Sequence, residues 1–364
     1  MFEYVEGGAE DEQALRRNRL AFEDVRFVPR TLVNTLDRCC ATTLFGAPLA
    51  MPVVIAPTGI NGMLRRSADR MLAEAAHRAQ IPFCLSTVAN ARAAEVALPG
   101  SRLWMQLYVF KDPAITADVV RRADEAGCEA LVFTTDANVF GSREWDKRSF
   151  ARPGRPTLYS MLDALCHPLW LADFLLSGFP RFVNVAEFFP PDARRASAGV
   201  TIIPRMFAPT IDWDDVARLR DRWPRRLILK GVLAAEDAER AVKLGCDGIV
   251  LSNHGGRQLD ACVAPLEVLP DISRAFRDRI TILIDSGFRR GSDIAKALAL
   301  GAHAVMVGRA TLYGLAAGGE PGVARALTIL QSELDRVLGQ LGCRSVAELS
   351  PGMLLRATAT AVDR

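Results

Sequence analysis

The sequence predicts a closed (β/α)8 barrel with an aromatic-rich insertion between its fourth and fifth strands, and three observations lead there. Eight short apolar runs of the buried-strand kind begin near Val53, Pro82, Trp104, Ala130, Leu227, Gly248, Ile280 and Ala304. Their spacing, roughly 20 to 30 residues, suits one strand and one returning helix; only the stretch between Ala130 and Leu227 is longer, by roughly 60 to 70 residues. Three segments also repeat one design, an amphipathic helix, a glycine and an apolar run: Arg122 onward through Gly127, Arg240 onward through Gly245, and Lys296 onward through Gly301. Those glycines fit the left-handed position that ends a helix and turns the chain into a strand. Finally, every apolar run ends in hydrogen-bonding residues. An open doubly wound sheet usually has fewer strands and a glycine-rich first turn, which is missing here.

In a barrel the chemistry sits at the C-terminal ends of the strands, so these ends are read in order. The first is Pro57-Thr58-Gly59, the second Ser86-Thr87, the third Gln106-Leu107-Tyr108 and the fourth Thr134-Thr135-Asp136. The fifth, Lys230-Gly231, points an ammonium into the mouth, where it needs an anionic partner. A structural carboxylate, a Schiff base, or an anion developing on a bound ring would each serve. The sixth is Ser252-Asn253-His254-Gly255-Gly256-Arg257. Its two glycines let the backbone bend, so an acid/base imidazole and a carboxylate-binding guanidinium can face one ligand. Asp136 could orient that imidazole and stabilise its protonated form, or merely cap a turn. The seventh end, Asp285-Ser286-Gly287-Phe288-Arg289-Arg290-Gly291-Ser292, and the eighth, Gly308-Arg309, combine small residues, backbone amides, a helix start and guanidinium groups. That is what a phosphate needs, unless the glycines serve only tight turns. Polar groups at all eight ends suggest a large polar ring system.

Composition narrows the class. Half of the 364 residues are hydrophobic, and 45 basic side chains nearly balance 42 acidic ones, leaving a net charge of +3. A large core is therefore available, a disordered chain is excluded, and no nucleic-acid partner is announced. The eight cysteines include adjacent Cys39 and Cys40 but no Cys-x-x-Cys pair, and most sit in apolar runs. Buried reduced thiols in a cytoplasmic protein are expected, not a disulfide framework or a metal site. The start, Met1-Phe2-Glu3-Tyr4, has no basic and apolar leader pattern, and no run of 18 uncharged apolar residues occurs; neither a secretory signal nor a membrane span is expected.

The insertion, residues 153–200 within one barrel domain spanning 1–364, concentrates rings. Tyr159, Trp170, Phe174, Phe179, Phe182, Phe188 and Phe189 all fall within 158–189, against a chain-wide aromatic content of 7%. Asp163, Asp173, Arg181 and Glu187 interrupt the segment. A lid, a subunit contact, or a segment lying flat on a membrane with rings such as Trp170 and Phe174 in the headgroup boundary would each use it.

At Gly8-Ala9-Glu10-Asp11, Gln106-Leu107-Tyr108, Leu229-Lys230-Gly231, the run from Ser252 to Gln258 and the stretch from Asp285 to Arg309, the chain resembles the FMN-dependent α-hydroxy-acid oxidising family. Within it, the likeness is greatest to the membrane-associated mandelate-dehydrogenating members: Gly59 follows Pro57-Thr58, Cys166-His167-Pro168-Leu169-Trp170 begins a similar insertion, and the run from Ser286 to Ser292 is similar too. The resemblance implies FMN held by Pro57, Thr58, Gly59, Ser86, Gln106, Thr134, Lys230, Ser252, Asp285, Ser286, Gly287, Arg289, Gly308 and Arg309. It implies a 2-hydroxy acid surrounded by Tyr4, Tyr108, Arg143, His254 and Arg257, with Asp136 behind His254. Tyr4 lies almost at the start of the chain, which leaves its anchoring open. Val88 stands where glycolate-type members carry a bulky tryptophan, favouring a large substituent such as that of (S)-mandelate.

The expected reaction is oxidation of a 2-hydroxy acid to the 2-oxo acid. His254 would be the base, Lys230 would stabilise charge on the flavin, and electrons would pass to a membrane quinone. The resemblance further implies a homo-oligomer, a tetramer, located peripherally on the inner face of the cell membrane. The alternatives are an oxidase that uses oxygen and releases hydrogen peroxide, an FMN-barrel isomerase, and a flavin-containing membrane-interaction protein.

Overall fold

The computed structural model describes residues 2–144, 150–152, 155–189 and 199–356. Eight parallel strands close into a barrel: β1 (Val53–Ile55), β2 (Phe83–Leu85), β3 (Leu103–Leu107), β4 (Ala130–Thr134), β5 (Arg226–Val232), β6 (Gly248–Leu251), β7 (Thr281–Ile284) and β8 (Ala304–Val307). They pair in sequence order, β8 returns to β1, and β4 pairs with β5 across the insertion. In that last pair Ile228 lies beside Val132 and Lys230 beside Thr134.

Successive side chains on a strand point to opposite faces. The outward set, including Val53, Ile55, Phe83, Leu131, Phe133, Leu229, Ile249 and Ile284, packs under the surrounding helices in one large core. The inward set, Val54, Cys84, Trp104, Val132, Ile228, Val250, Leu283 and Met306, fills the barrel with a separate apolar layer. A hairpin of Thr42–Leu44 and Ala47–Leu49 adds Leu44, Leu49 and Phe45 to that layer. The Phe45 ring lies 5.9 Å from Trp104. Two residues beyond this layer the inward positions turn polar: Ser86, Gln106, Thr134, Lys230, Ser252 and Asp285, all buried. The strand period thus sets the floor of the mouth.

The three predicted helix-ending glycines are in place, with φ of +72° at Gly127, +70° at Gly245 and +107° at Gly301. All eight cysteines are free thiols. Burial pushes Cys128 and Cys246 up to about 12.

Of the expected insertion 153–200, residues 153–154 and 190–198 lie outside the described residues. The rest, with its flanks, includes a pairing of Phe150–Arg152 with Arg155–Pro156 and the helices Leu158–Leu165, Pro168–Ser177 and Gly199–Met206, the last running beyond the insertion. Of the seven rings only Tyr159 stands on the outer face that the sequence suggests, and the other six are buried or partly buried. Phe182 and Phe189 are buried in a third cluster with Phe110, Ile115, Val185, Ile203 and Phe207. Trp170 and Phe174 are partly buried and stack on each other at 5.4 Å, and the Trp170 indole N–H donates to the Met63 carbonyl at 3.0 Å. The physical reason is that an indole N–H near the protein finds an acceptor there, whereas leucine has nothing to satisfy. What faces outward is Leu158, Tyr159, Met161, Leu162 and Leu165 from the first helix and Leu169, Leu175 and Leu176 from the second. The Arg66 amide, donating to Asp173 at 2.9 Å, ties this second helix to the loop after β1. Among the described residues no helix is long and apolar enough to cross a membrane.

Gly245→Ala should lower stability by about 1 kcal/mol, the strain of a left-handed alanine, since nothing lies within 4 Å of the new methyl. Gly301→Ala should lose more, because its Cβ would lie 1.8 Å from the Ser273 hydroxyl oxygen. Denaturant unfolding of the two variants measures both, and equal losses would refute the packing argument.

Candidate active site

The floor is a continuous hydrogen-bonded layer. Gln106 accepts from the Ser86 hydroxyl at 3.2 Å and the Thr87 amide at 3.1 Å, and its amide nitrogen donates to Thr134 at 2.9 Å. The Lys230 ammonium donates to Ser252 at 2.9 Å and lies 3.1 Å from the Asp285 carboxylate. Burial works to lower the Lys230 pKa, but the carboxylates of Asp285 and Asp136 outweigh it and hold the value above that of an ordinary lysine. A fixed positive charge therefore sits under the mouth. Ser286 donates to Asp285 at 2.7 Å and accepts from the Gly255 amide at 3.1 Å, joining the ends of β6 and β7.

His254 stands above this floor. Its Nδ1 lies 3.1 Å from Asp136 Oδ1 and its Nε2 3.5 Å from the Tyr108 hydroxyl. The geometry is set by the backbone: His254, Gly255 and Gly256 have φ of +59°, +69° and +76°, three left-handed residues in succession. A Cβ on Gly256 would lie 2.7 Å from the Leu15 amide nitrogen, so only glycine lets the run curl there. Gly231 makes room for the partner, since a Cβ on it would lie 2.8 Å from Asp136.

Burial lowers the His254 pKa, with Lys230 and Arg143 acting in the same direction against Asp136. The resting imidazole is neutral. Burial works to raise the Asp136 carboxyl, but His254 and Lys230 outweigh it and hold it below the usual range. An ionised Asp136 assigns the imidazole proton to Nδ1 and leaves Nε2 as an acceptor facing the mouth. Burial, reinforced by Asp136, pushes Tyr108 up to about 12, so its phenol keeps its proton.

Two guanidinium groups, of Arg257 and Arg143, belong to the same loops. Arg257 donates to the carbonyls of Tyr4 at 2.9 Å and Gly7 at 2.6 Å and lies over the Tyr4 ring at 5.0 Å. The Tyr4 hydroxyl donates to the Gly59 carbonyl at 3.1 Å. The N-terminal helix Phe2–Glu6 is thus anchored across the mouth, which answers what the sequence left open. Arg143 donates to the carbonyl of Arg257 and to the side chain of Gln258, both at 3.2 Å. Gln258 belongs to the motif but was given no role by the sequence. Its amide reaches the carbonyls of Asp136 and Val139 and its oxygen accepts from Gly141, so it fastens the β4 loop to the β6 loop. Only its place beside His254 could have signalled this.

At the β7 and β8 ends Arg309 donates to the carbonyls of Val5, Gly255 and Gly7 at 2.7, 2.9 and 3.0 Å. Burial, with repulsion from Arg257 and Arg289, lowers its pKa to about 10. Arg289 donates to the Tyr313 hydroxyl at 3.2 Å and stacks on that ring. Gly287, with φ of +92°, lies so close to Asn18 that a Cβ would come within 2.6 Å of its carbonyl oxygen. Pro57, Thr58 and Gly59 follow β1, and Gly308 follows β8. Gly59 and Val88 are interlocked and do not each open a space: a Cβ on Gly59 would stand 2.5 Å from Val88 Cγ2.

The mouth can hold two anionic groups, a phosphate near Arg309 and Arg289 and a carboxylate near His254, and this is the layout of a flavin-dependent barrel oxidoreductase. The chain belongs to the FMN-dependent dehydrogenase family, whose pattern matches residues 1–356. It is 44% identical to an (S)-mandelate dehydrogenase of Pseudomonas putida over 97% of this chain and 89% of that one. It is 40% identical to an L-lactate dehydrogenase of Pectobacterium atrosepticum over 100% of this chain and 94% of that one. Among solved structures it superimposes on monotopic (S)-mandelate dehydrogenase with a TM-score of 0.92 and 43% identity, covering 98% of this chain and 94% of the other. A mandelate oxidase variant with an FMN adduct matches with a TM-score of 0.78 and 34% identity over 97% and 93%. The chain is therefore an FMN-dependent 2-hydroxy-acid dehydrogenase. Its residues suit that cofactor: the Thr58 hydroxyl is buried without a hydrogen-bond partner, and Arg309 is a crowded buried cation whose charge a phosphate would offset.

Lys230→Met should destabilise the FMN-free protein by about 3 kcal/mol, because Asp285 then keeps a buried charge without its ammonium. Adding Asp285→Asn should recover part of the loss. Urea unfolding of the single and double variants decides it, and additive losses would refute the pairing.

Proposed function

We propose that this enzyme oxidises 2-hydroxy acids with a bulky or aryl substituent, (S)-mandelate foremost, to 2-oxo acids, and passes the electrons to a membrane quinone. The observation that carries the reading is neutral His254 held between Asp136 and Tyr108, with Tyr108 in turn packed, like Ile60, Val88 and Phe140, against an apolar cluster. The mandelate dehydrogenase and mandelate oxidase relatives support the aryl substrate.

In this reading Arg257 and Arg143 bind the carboxylate, and Tyr4 and Tyr108 hydrogen-bond the carboxylate or hydroxyl. His254 Nε2 takes a proton from the substrate, and Asp136 holds Nδ1–H and stabilises the imidazolium that results. FMN, when bound, would supply the acceptor for the two electrons and the second hydrogen that leave the substrate. Pro57, Thr58, Gly59, Ser86, Gln106, Thr134, Ser252, Asp285, Ser286, Gly287, Arg289, Gly308 and Arg309 would hold it, and Lys230 would supply positive charge beneath it. The outward leucines of helices Leu158–Leu165 and Pro168–Ser177 support a membrane-surface role, since so many exposed large apolar side chains on two successive helices are unusual on a protein in water.

Anaerobic mixing with (S)-mandelate should bleach the flavin and release one 2-oxo acid per FMN; no bleaching with any 2-hydroxy acid would overturn the reading. The active form needs neutral His254, so the rate should fall only as pH drops below the ordinary histidine value. Asp136→Asn removes the charge that raises the His254 pKa. Its acid limb should move to still lower pH, while the plateau rate drops on the order of 10²- to 10⁴-fold. An unchanged profile would remove Asp136 from the mechanism.

Val88→Trp should shift preference from mandelate toward glycolate, read as the ratio of kcat/KM values. Replacing Leu162, Leu165, Leu169 and Leu176 with serine should abolish binding to liposomes while leaving mandelate oxidation with a soluble acceptor intact. Undiminished liposome binding would move the membrane contact elsewhere.

A further inference from the structure

We propose that Phe207, where the insertion returns to the barrel mouth, is a positioning residue for the substrate: its ring holds the Tyr108 phenol directly and the Arg143 guanidinium through Phe140. The proposal rests on the reading above that Tyr108 and Arg143 meet the substrate. Phe207 follows the helix Gly199–Met206, more than 70 residues beyond β4, and nothing in its sequence neighbourhood marks it as part of the site.

The geometry is a chain of flat faces. The Phe207 ring lies 4.7 Å from Tyr108 at an interplanar angle of 40°, and it stacks on Phe140 at 5.4 Å and 18°. Phe140 in turn carries Arg143, whose guanidinium carbon stands 5.6 Å from the ring centre. Phe110 closes the other side of Phe207 at 5.1 Å. Aromatic pairs at these separations favour particular orientations, so one buried ring can fix two neighbours at once. A cation over an aromatic face is likewise held by the ring quadrupole.

The ring is itself fixed. Phe207 is 4% exposed, and Ile115, Phe182, Val185, Phe189 and Ile203 belong to the same cluster. Its backbone is pinned to the segment that follows Tyr108: Lys111 donates to the Met206 carbonyl at 2.8 Å and Ala208 donates to the Val109 carbonyl at 2.9 Å. The segment that leads from the insertion into the barrel therefore meets the Tyr108 region both through its backbone and through the ring. Hydrogen bonds to Arg257 and Gln258 steer the edge of the Arg143 guanidinium, while Phe140 supports its face. Removing the Phe207 ring frees the Tyr108 ring and lets Phe140 tilt, which loosens both contacts to the substrate while Lys230, Asp136 and His254 stay in place.

The test is Phe207→Leu in the FMN-loaded enzyme, which keeps apolar bulk and removes the flat faces. KM for (S)-mandelate should rise on the order of ten-fold with a much smaller change in kcat. The dissociation constant of the 2-oxo acid product, read from the flavin absorbance change, should rise in parallel. In a Tyr108→Phe background the effect of Phe207→Leu on KM should shrink, because the hydroxyl it positions is gone. A purely structural role would give the same loss in both backgrounds. Should Phe207→Leu fail to retain FMN, Phe140→Leu takes its place, breaks only the Arg143 arm, and should raise the same dissociation constant. Wild-type KM and product affinity in folded Phe207→Leu, or an undiminished effect in the Tyr108→Phe background, overturns the proposal. If the wild-type flavin responds to no 2-hydroxy acid, the proposed function itself fails and this assignment falls with it.

Discussion

The alternation of side chains along the parallel strands is the constraint on which the molecule depends. Cys84 and Ser86, Trp104 and Gln106, Val132 and Thr134, Ile228 and Lys230, Val250 and Ser252, and Leu283 and Asp285 are pairs two residues apart on six strands. In each, the first member belongs to the dry interior layer and the second to the polar floor. Closure of the barrel forces all six steps to occur at about one height. A slip of one residue in any strand would turn its polar member outward into the helix layer.

The floor lets buried charge coexist with a neutral base. Lys230 faces Asp285 and Asp136, so its ammonium is matched from two sides. The same ammonium, with Arg143, works against protonation of His254, while Asp136 works for it. The balance leaves the imidazole neutral beside the carboxylate that holds its Nδ1. A buried carboxylate without these neighbours would drift toward its neutral acid and would no longer orient Nδ1.

Strand positions, helix-ending glycines and the residues of the mouth were legible because each depends on local pattern: period, breaker or motif. What escaped depends on the return of distant chain. Gln258 lies inside the motif, yet its hydrogen bonds run to Asp136, Val139 and Gly141, well over a hundred residues earlier. The fastening of Tyr4 across the mouth through Gly59 and Arg257 is of the same kind. In the insertion, composition identified an apolar segment but not its sidedness. Six of the seven rings turned toward the protein, where Trp170 finds the Met63 carbonyl, while Tyr159 and a set of leucines turned away. Gly59 and Val88 likewise meet in a single interlocked contact, which no count of small residues could reveal.

The left-handed run at His254, Gly255 and Gly256 has a consequence for how such a chain changes over generations. Histidine tolerates that conformation less easily than glycine and about as well as asparagine does. The bend after β6 is fixed by the two glycines and by contacts of the backbone, including the Ser252 hydroxyl under the His254 amide at 3.0 Å. Shape and chemistry at this position are therefore separable. A descendant that exchanged the imidazole for an amide would keep the bend, the barrel and the cofactor cradle, and could drift toward a binding role without first passing through an unfolded ancestor.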